Sequence, residues 1–498
     1  MSKQATQHRW PAVVLSFAVC AARAAEPPSS PPTPAAVPAA GVALSGLDHP
    51  LGEVIDRYVE EGLRSNLALQ SRSLEVERNL AALDAARARF LPAFALEARY
   101  TRADGGREIA IPVGTLLNPA YATLNELLAA QGQAPRFSAI EDQSIPFIRE
   151  REQDTRVTVR QAIYAPAIPA AVRAQSAQLE ASQFGHIALA RQLKRDITVG
   201  YLDWLLARNA EQIVQSSLAL LQENLRVNDS LFRNGKVTQD QVLRARAELL
   251  AVQQQRREAQ NTGTQAQSYL NFLLNRSLNE PLEVAAVAGE IQRAAQDLEA
   301  LRAAAITNRP EIAQLDRAVS AAESQVQVAR SDLKPTLSLG VDAGTQGEQY
   351  EFGRGSNFAM VSLLLNWQFF DGGANRAEVR GARAAAMQAA TRRDEISRQI
   401  QLEVQQALDR LITATDSLDT AQARAEAARA AFRIASRKRD EGAINQVEFI
   451  DARSTLSGAE LNLNLTTFEV LARQAELDYA TAAGRLPLST GMAAGRGR

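Results

Sequence analysis

Glu448 and Asp451 stand three residues apart in the run Gln446-Val447-Glu448-Phe449-Ile450-Asp451, so on a helix they share one face. Two carboxylates placed this way can gather a cation, or they can simply sit in solvent and offset the positive end of a helix. Asp240 holds a comparable place after Thr238. Other chemistry is hard to find. His8, His49 and His186 are scattered, and no spacing makes them metal ligands. Gly353-Arg354-Gly355 has no strand-to-helix transition after it and is no phosphate cradle. Cys20 is the single cysteine, so no intramolecular disulfide can form. No nucleophile, acid and base constellation is present, and the sequence predicts neither an enzyme nor a cofactor.

The elements that must hold these acids are helical. Aromatic residues are 5% of the chain, while Ala, Gln, Arg, Glu and Leu abound, which is the composition of long helices and coiled coils. Hydrophobic residues make up 46%, enough for a substantial core. Lys and Arg number 55 against 56 Asp and Glu, so the global attraction expected of a nucleic-acid binder is missing.

The N-terminus is basic, then apolar from Ala12 to Ala22, then small at Ala22-Arg23-Ala24, which predicts a secretory signal peptide over residues 1–24. Cys20 lies within it. Val19, directly before Cys20, is not the small residue that lipid attachment normally wants, which disfavours a lipoprotein. Residues 25–46 read as a Pro/Ala-rich linker and 488–498 as a flexible tail. No later stretch is apolar for the roughly 20 residues that a membrane helix needs. A membrane-embedded part would therefore be made of β-strands.

Between linker and tail the chain repeats itself. Asn66 to Phe94, ending Phe90-Leu91-Pro92, matches Arg309 to Leu337, ending Leu333-Lys334-Pro335. Arg233-Asn234-Gly235-Lys236-Val237-Thr238 matches Asp440-Glu441-Gly442-Ala443-Ile444-Asn445. This predicts one repeat over residues 47–283 and a second over 284–487. In each, a helix leads into two alternating strands, at about 93–102 and 155–164, then at about 336–343 and 358–369. Leu337, Leu339, Val341 and Ala343 form one apolar face, with Ser338, Gly340 and Asp342 opposite. Four strands offer no second sheet to cover such a face.

Long helical hairpins follow, at 170–277 and 374–483. The first arm of each is free of proline for more than sixty residues, or about 95 Å at roughly 1.5 Å per residue. In the second hairpin Val404, Leu411, Leu418, Ala425 and Phe432 recur every seven residues, as do Phe449, Leu456, Leu463, Val470 and Leu477 on the return arm. Strict sevens impose a left-handed supercoil. The first hairpin keeps the register at Ile197, Trp204, Leu218, Leu225 and Phe232, with Glu211 breaking the seam and Arg256 and Gly263 loosening its partner. The two shorter helices of each repeat are predicted to stack end to end beside the long one.

The duplicated Gly-Lys-Val-Thr and Gly-Ala-Ile-Asn turns, with the strand ending Trp367-Gln368-Phe369-Phe370-Asp371-Gly372-Gly373, resemble the TolC family of outer-membrane factors over about Leu47 to Pro487. The resemblance implies a mainly α fold with a small membrane β-barrel portion. Long antiparallel coiled-coil helices would form a periplasmic α-barrel, and four strands per chain would complete a trimeric twelve-stranded β-barrel. It implies the outer-membrane channel of a tripartite efflux pump or type I secretion system. Such a channel is a passive gated conduit, a homotrimer set in outer-membrane lipid that works with a periplasmic adaptor and an inner-membrane pump.

By the same resemblance Glu448 and Asp451, with Asp240 beside them, mark an acidic aperture at the tunnel mouth, where trimer symmetry gathers carboxylates about one axis. The turns Arg233, Asn234, Gly235, Lys236, Val237 and Glu441, Gly442, Ala443, Ile444 correspond to tips that meet the adaptor. Ile444 stands where relatives place a basic latch residue, so the closing network should differ. The long segment between Ala103 and Thr155 becomes an outward-facing lid, with a short helix over Leu116 to Ala130. A periplasmic adaptor also has a long helical hairpin, but a single one interrupting β-rich domains; a soluble periplasmic coiled-coil scaffold is the other alternative, and heat-modifiable, detergent-dependent extraction from the outer membrane separates the channel from both.

Overall fold

A computed structural model describes residues 49–286 and 297–487. The expected signal peptide, linker and tail lie outside the described residues. The first repeat opens with a two-residue strand β1 (His49–Pro50), then α1 (Leu51–Ser65) and α2 (Leu67–Ala88). Next come β2 (Ala93–Arg102), an insert of β3 (Glu108–Ile111), α3 (Val113–Ala130) and β4 (Gln143–Pro146), and then β5 (Arg151–Tyr164). The hairpin is α4 (Ala167–Arg233) and α5 (Gln239–Leu273), followed by the short strand β6 (Ala285–Ala286), which pairs with β1. The second repeat runs α6 (Leu298–Asn308), α7 (Pro310–Ser331), β7 (Thr336–Gly347), β8 (Asn357–Asn366), α8 (Ala374–Asp440) and α9 (Gln446–Ala480).

The duplication governs element lengths. Helices α4 and α8 are each 67 residues, α5 and α9 each 35, and α2 and α7 each 22. Each long helix runs for about 100 Å. Along it the 35-residue return helix packs at one end and 22-residue helices at the other, with α7 lying between α4 and α8. Both long helices end beside Gly, and Pro310 opens α7 at the position where its missing N–H costs nothing.

The heptads are buried as sevens require at Val404, Leu418, Ala425, Phe449, Val470 and Leu477, while Leu411, Leu456 and Leu463 pack at the margins of these clusters. Phe432 departs from the pattern: it is 41% exposed and rests against Phe449, ring centroids 5.8 Å apart. It lies about two turns before the end of α8, with the buried Arg453 guanidinium over its ring. In the first hairpin the irregular residues pair with each other's strand of the seam. Gln260 donates to Glu211 at 2.6 Å and Arg256 donates to Gln215 at 3.0 Å.

The largest apolar cluster gathers α1, α4 and α5 around Tyr201, Trp204, Ile197 and Leu270. Its polar atoms are satisfied: Tyr201 Oη donates to the Glu283 carbonyl at 2.8 Å and accepts from Ala285 N at 3.0 Å. The second repeat has a charged node at the equivalent level. Arg309, only 6% exposed, donates to Glu311 at 2.7 Å and to Glu403 on α8 at 2.8 Å. The Tyr479 ring lies between two guanidiniums, Arg195 from α4 at 4.5 Å and Arg309 at 5.0 Å. Burial pulls the Arg309 guanidinium down, but its carboxylate partners more than offset this and hold it above the usual value.

The main sheet is antiparallel in the order β2-β5-β7-β8. Register places Phe94, Val159, Val341 and Val361 side by side, then Leu96, Val157, Ala343 and Ala359. These rows form one apolar face, and nothing among the described residues covers it: Leu96 is 72% exposed and Leu363 68%. The opposite face bears charge. Arg160 pairs with Asp342 at 2.9 Å, and Arg156 pairs with Glu97 at 3.2 Å and Asp154 at 3.3 Å. Three strand limits differ from expectation. Strands β5 and β7 reach four residues farther, to Arg151 and Gly347, because polar residues there still pair across the ladder, while β8 stops at Asn366, leaving Trp367 to Phe369 outside it. Among the described residues no helix is long and apolar enough to cross a membrane.

Candidate functional site

The two hairpin turns share one construction. Gly235 has φ 67° and Gly442 φ 69°, the left-handed conformation that lets each long helix stop and reverse. The orphan carbonyls are met the same way in both: Lys236 N donates to Leu231 O at 2.9 Å, and Ala443 N donates to Lys438 O at 2.7 Å. Around each glycine the side chains face solvent. Arg233, Asn234 and Lys236 are exposed in the first turn, as are Glu441 and Ala443 in the second. Val237 and Ile444 occupy matching places and are half-buried.

The acids lie just past these turns. Asn445 caps α9: its side-chain oxygen accepts from Glu448 N at 2.9 Å, and its amide donates back to Glu448 Oε1 at 3.1 Å. Glu448 thus does part of the local work of starting the helix. Asp451 shares its face and is exposed, with no ion pair among the described residues. Asp240 starts α5, accepting from the Thr238 hydroxyl and lying 3.9 Å from Arg244. In the sequence-predicted set, Glu448 and Asp451 are therefore brought together on one helix, while Asp240 belongs to the other hairpin.

A second polar group near the turns escaped the sequence reading. Arg439, in the last turn of α8, donates to the Asn224 side chain on α4 and lies 3.9 Å over the Phe449 ring. Asn224 in turn accepts from Asn228 Nδ2 at 3.0 Å, and both asparagines are buried, Asn228 seven residues past Leu221. Arg453 is buried on α9, 6.0 Å over the Phe432 ring. Burial pulls its guanidinium down, and the charges of Glu460 and Glu248 push the other way. Farther along the seam between the hairpins, Ser217 and Ser457 hydroxyls meet at 3.3 Å and Asn464 donates to Leu206 O at 2.9 Å. The seam between the hairpins mixes these polar ties with apolar contacts that Leu461 and Phe468 of α9 make with the first hairpin. The available signal was Asn224 and Asn228, four residues apart on a helix face otherwise filled by Leu218 and Leu221.

Residues 284–483 match the model of the outer membrane efflux protein family. No curated protein matches the sequence. Among solved structures, the outer-membrane channel OprN is 20% identical with a TM-score of 0.71, over 87% of this chain and 91% of that one. The CmeC outer membrane channel of Campylobacter jejuni is 18% identical with a TM-score of 0.73, over 89% and 88%. The MtrE channel of Neisseria gonorrhoeae, solved in its open state, is 16% identical with a TM-score of 0.69, over 87% and 89%. At these identities the likeness is one of fold, and it spans both repeats. The family model thus matches the second repeat, and the fold of these solved channels extends over both.

Proposed function

We propose that the protein is one protomer of a trimeric outer-membrane export channel, a passive gated conduit serving a tripartite efflux pump or a type I secretion system. The observation that carries this reading is the main sheet. Its outer face carries rows of apolar side chains, its other face bears ion pairs, and among the described residues β2 and β8 are unpaired edges. Four strands cannot close a barrel, since about eight is the observed minimum, so copies must join edge to edge. Three copies give twelve strands. Lipid then covers the apolar rows, and the pairs Arg160–Asp342 and Arg156–Asp154 face an aqueous lumen.

The long helices extend from this barrel into the periplasm. The tips Arg233 to Val237 and Glu441 to Ile444 meet a periplasmic adaptor, and an inner-membrane pump supplies the driving force. Glu448 and Asp451 gather at the tunnel mouth, with Asp240 nearby, and favour cations there. A periplasmic adaptor or a coiled-coil scaffold would have no use for a lipid-facing ladder. The test is conductance of the purified trimer in planar bilayers. A cation-selective pore that millimolar divalent cation blocks, and that loses the block in Glu448→Ala/Asp451→Ala, is the expected result. A freely soluble protein that forms no pore would overturn the reading.

A further inference from the structure

The two hairpins leave a gap near the middle of the long helices. Between α4, α5, α8 and α9, beside the Tyr479 ring, lies a cavity of about 440 Å³ that opens to solvent. Small residues make the space, with Gly200 buried on the α4 wall and Ala407 and Ala480 buried on the other. The Tyr269 ring of α5 lies along α4 there, and a Cβ at Gly200 would sit 3.5 Å from it. Ligand pockets run to about 300–1,000 Å³, so the space suits a small organic molecule.

Most charge around the cavity is spent within the chain. Arg195 pairs with Asp196 at 2.6 Å, Glu403 with Arg309 at 2.8 Å and Glu476 with Arg473 at 2.9 Å. Asp203 on α4 and Arg410 on α8 also line the cavity, and neither has an ion pair or hydrogen bond among the described residues. The duplication relates them. Each stands the same number of residues ahead of its turn glycine, Gly235 or Gly442, so one repeat presents an acid where the other presents a base. Burial pushes the Asp203 carboxyl above the usual aspartate value, and no cation offsets this. A carboxylate and a guanidinium that share a cavity without pairing leave room for a group between them. No three His, Cys, Asp or Glu among the described residues are placed to hold a metal ion, so the acids here do not make a metal centre.

The cavity opens on one side of the helix layer. On α4, α1 packs over Ile197, Tyr201 and Trp204, and on α8, α6 packs over Ile400 and Val404. At about 100° per residue, Asp203 and Arg410 are both turned from these faces by roughly 100° or more. The shorter helices α1 and α6 thus back the layer, and the cavity lies away from them. Helices on the axis side of a ring would fill its tunnel, so the side without them is the tunnel wall.

We propose that this cavity is a transit site on the tunnel wall for small zwitterionic cargo, with Asp203 holding an ammonium group, Arg410 a carboxylate, and the Tyr269 ring the body of the molecule. This rests on the export-channel reading and adds a class of cargo to it. The test is equilibrium dialysis of the detergent-solubilised trimer with radiolabelled L-tryptophan, beside tryptamine, which lacks the carboxylate, and indole-3-propionate, which lacks the ammonium. The expected result is L-tryptophan bound at least about tenfold more tightly than either, since each charged contact is worth that much. Asp203→Asn should bring L-tryptophan down to the level of indole-3-propionate, and Arg410→Gln down to that of tryptamine, with the trimer intact. Equal binding of the three probes, or binding of none, by an intact trimer that conducts in bilayers would overturn the site while leaving the channel standing. Dissociation of the trimer in either variant would overturn it in favour of a contact between copies, and absence of any trimer in the unaltered protein would overturn both readings.

Discussion

Arg439 on α8 donates from Nη2 to the side-chain oxygen of Asn224 on α4, so the last turn of the second hairpin is tied to the first. The two residues are 215 positions apart and belong to different repeats. A hydrogen bond to a charged group contributes about 1.5–3 kcal/mol, and about 1.4 kcal/mol is a tenfold change in an equilibrium. If the closed mouth depends on this tie, Arg439→Ala raises the open fraction about tenfold or more in single-channel recordings. An unchanged open fraction would remove the tie from the closing network.

Arg309 holds α7 to α8 through Glu403 and flanks the Tyr479 ring of α9. Removing one partner of a buried ion pair costs about 3–5 kcal/mol, because the remaining charge stays buried. Arg309→Ala should lower the thermal midpoint of the purified protein by several degrees or more. Arg393→Ala, which breaks an exposed pair with Asp316, should change it little. Thermal unfolding followed by circular dichroism separates the two outcomes.

Strand β7 passes β5 so closely at Gly344 that an added Cβ would lie 2.2 Å from Thr155 O and 2.6 Å from Arg156 Cα. Both atoms are backbone held in the ladder, so relief means breaking strand pairing. Overpacking of this kind costs about 1–3 kcal/mol or more. Gly344→Ala should therefore deplete the detergent-resistant oligomer on gels. Gly347→Ala is the control, since its Cβ would meet Gln349 O at an ordinary 3.6 Å.

Asp371 accepts from Asn375 N at 2.7 Å and from Gly373 N at 2.8 Å, satisfying the start of α8. These donors, Asn375 first, hold its carboxyl below the usual aspartate value. A carboxylate lowered on folding stabilises the native chain above the ordinary value, about pH 3.9, and that contribution fades as pH falls below it. Asp371→Asn should lower the thermal midpoint at neutral pH and reduce its further fall under acid. Parallel acid profiles for the two proteins would rule out this role.

Most of the architecture was legible because it rests on local signals that repeat. Proline and glycine punctuate both copies, periods change from two to seven, and the Gly235 and Gly442 turns carry nearly the same neighbours. Ties between copies carry no such signal. Nothing in the local sequence of Arg439 points to Asn224, which lies beside the heptad residue Leu225 rather than on the repeat. Glu448 and Asp451 were legible as a shared helical face, but the capping of α9 by Asn445 and Glu448 depends on backbone geometry at the turn. Strand β7 ran past its alternating apolar run because pairing to β5, which the pattern of one strand cannot reveal, extends it through Thr345 and Gln346.

In the proposed channel the apolar face of the main sheet meets lipid while its charged face meets water. Leu363 and Met360 lie on opposite faces of β8, and both are exposed. The direct measurement is quenching by brominated lipid of a fluorophore attached at Leu363→Cys or at Met360→Cys in reconstituted protein, in a Cys20→Ser background. Strong quenching is expected at 363 and little at 360, with heat-modifiable trimers in both. Equal quenching at the two positions, or none at either in a protein that stays soluble without detergent, would contradict it.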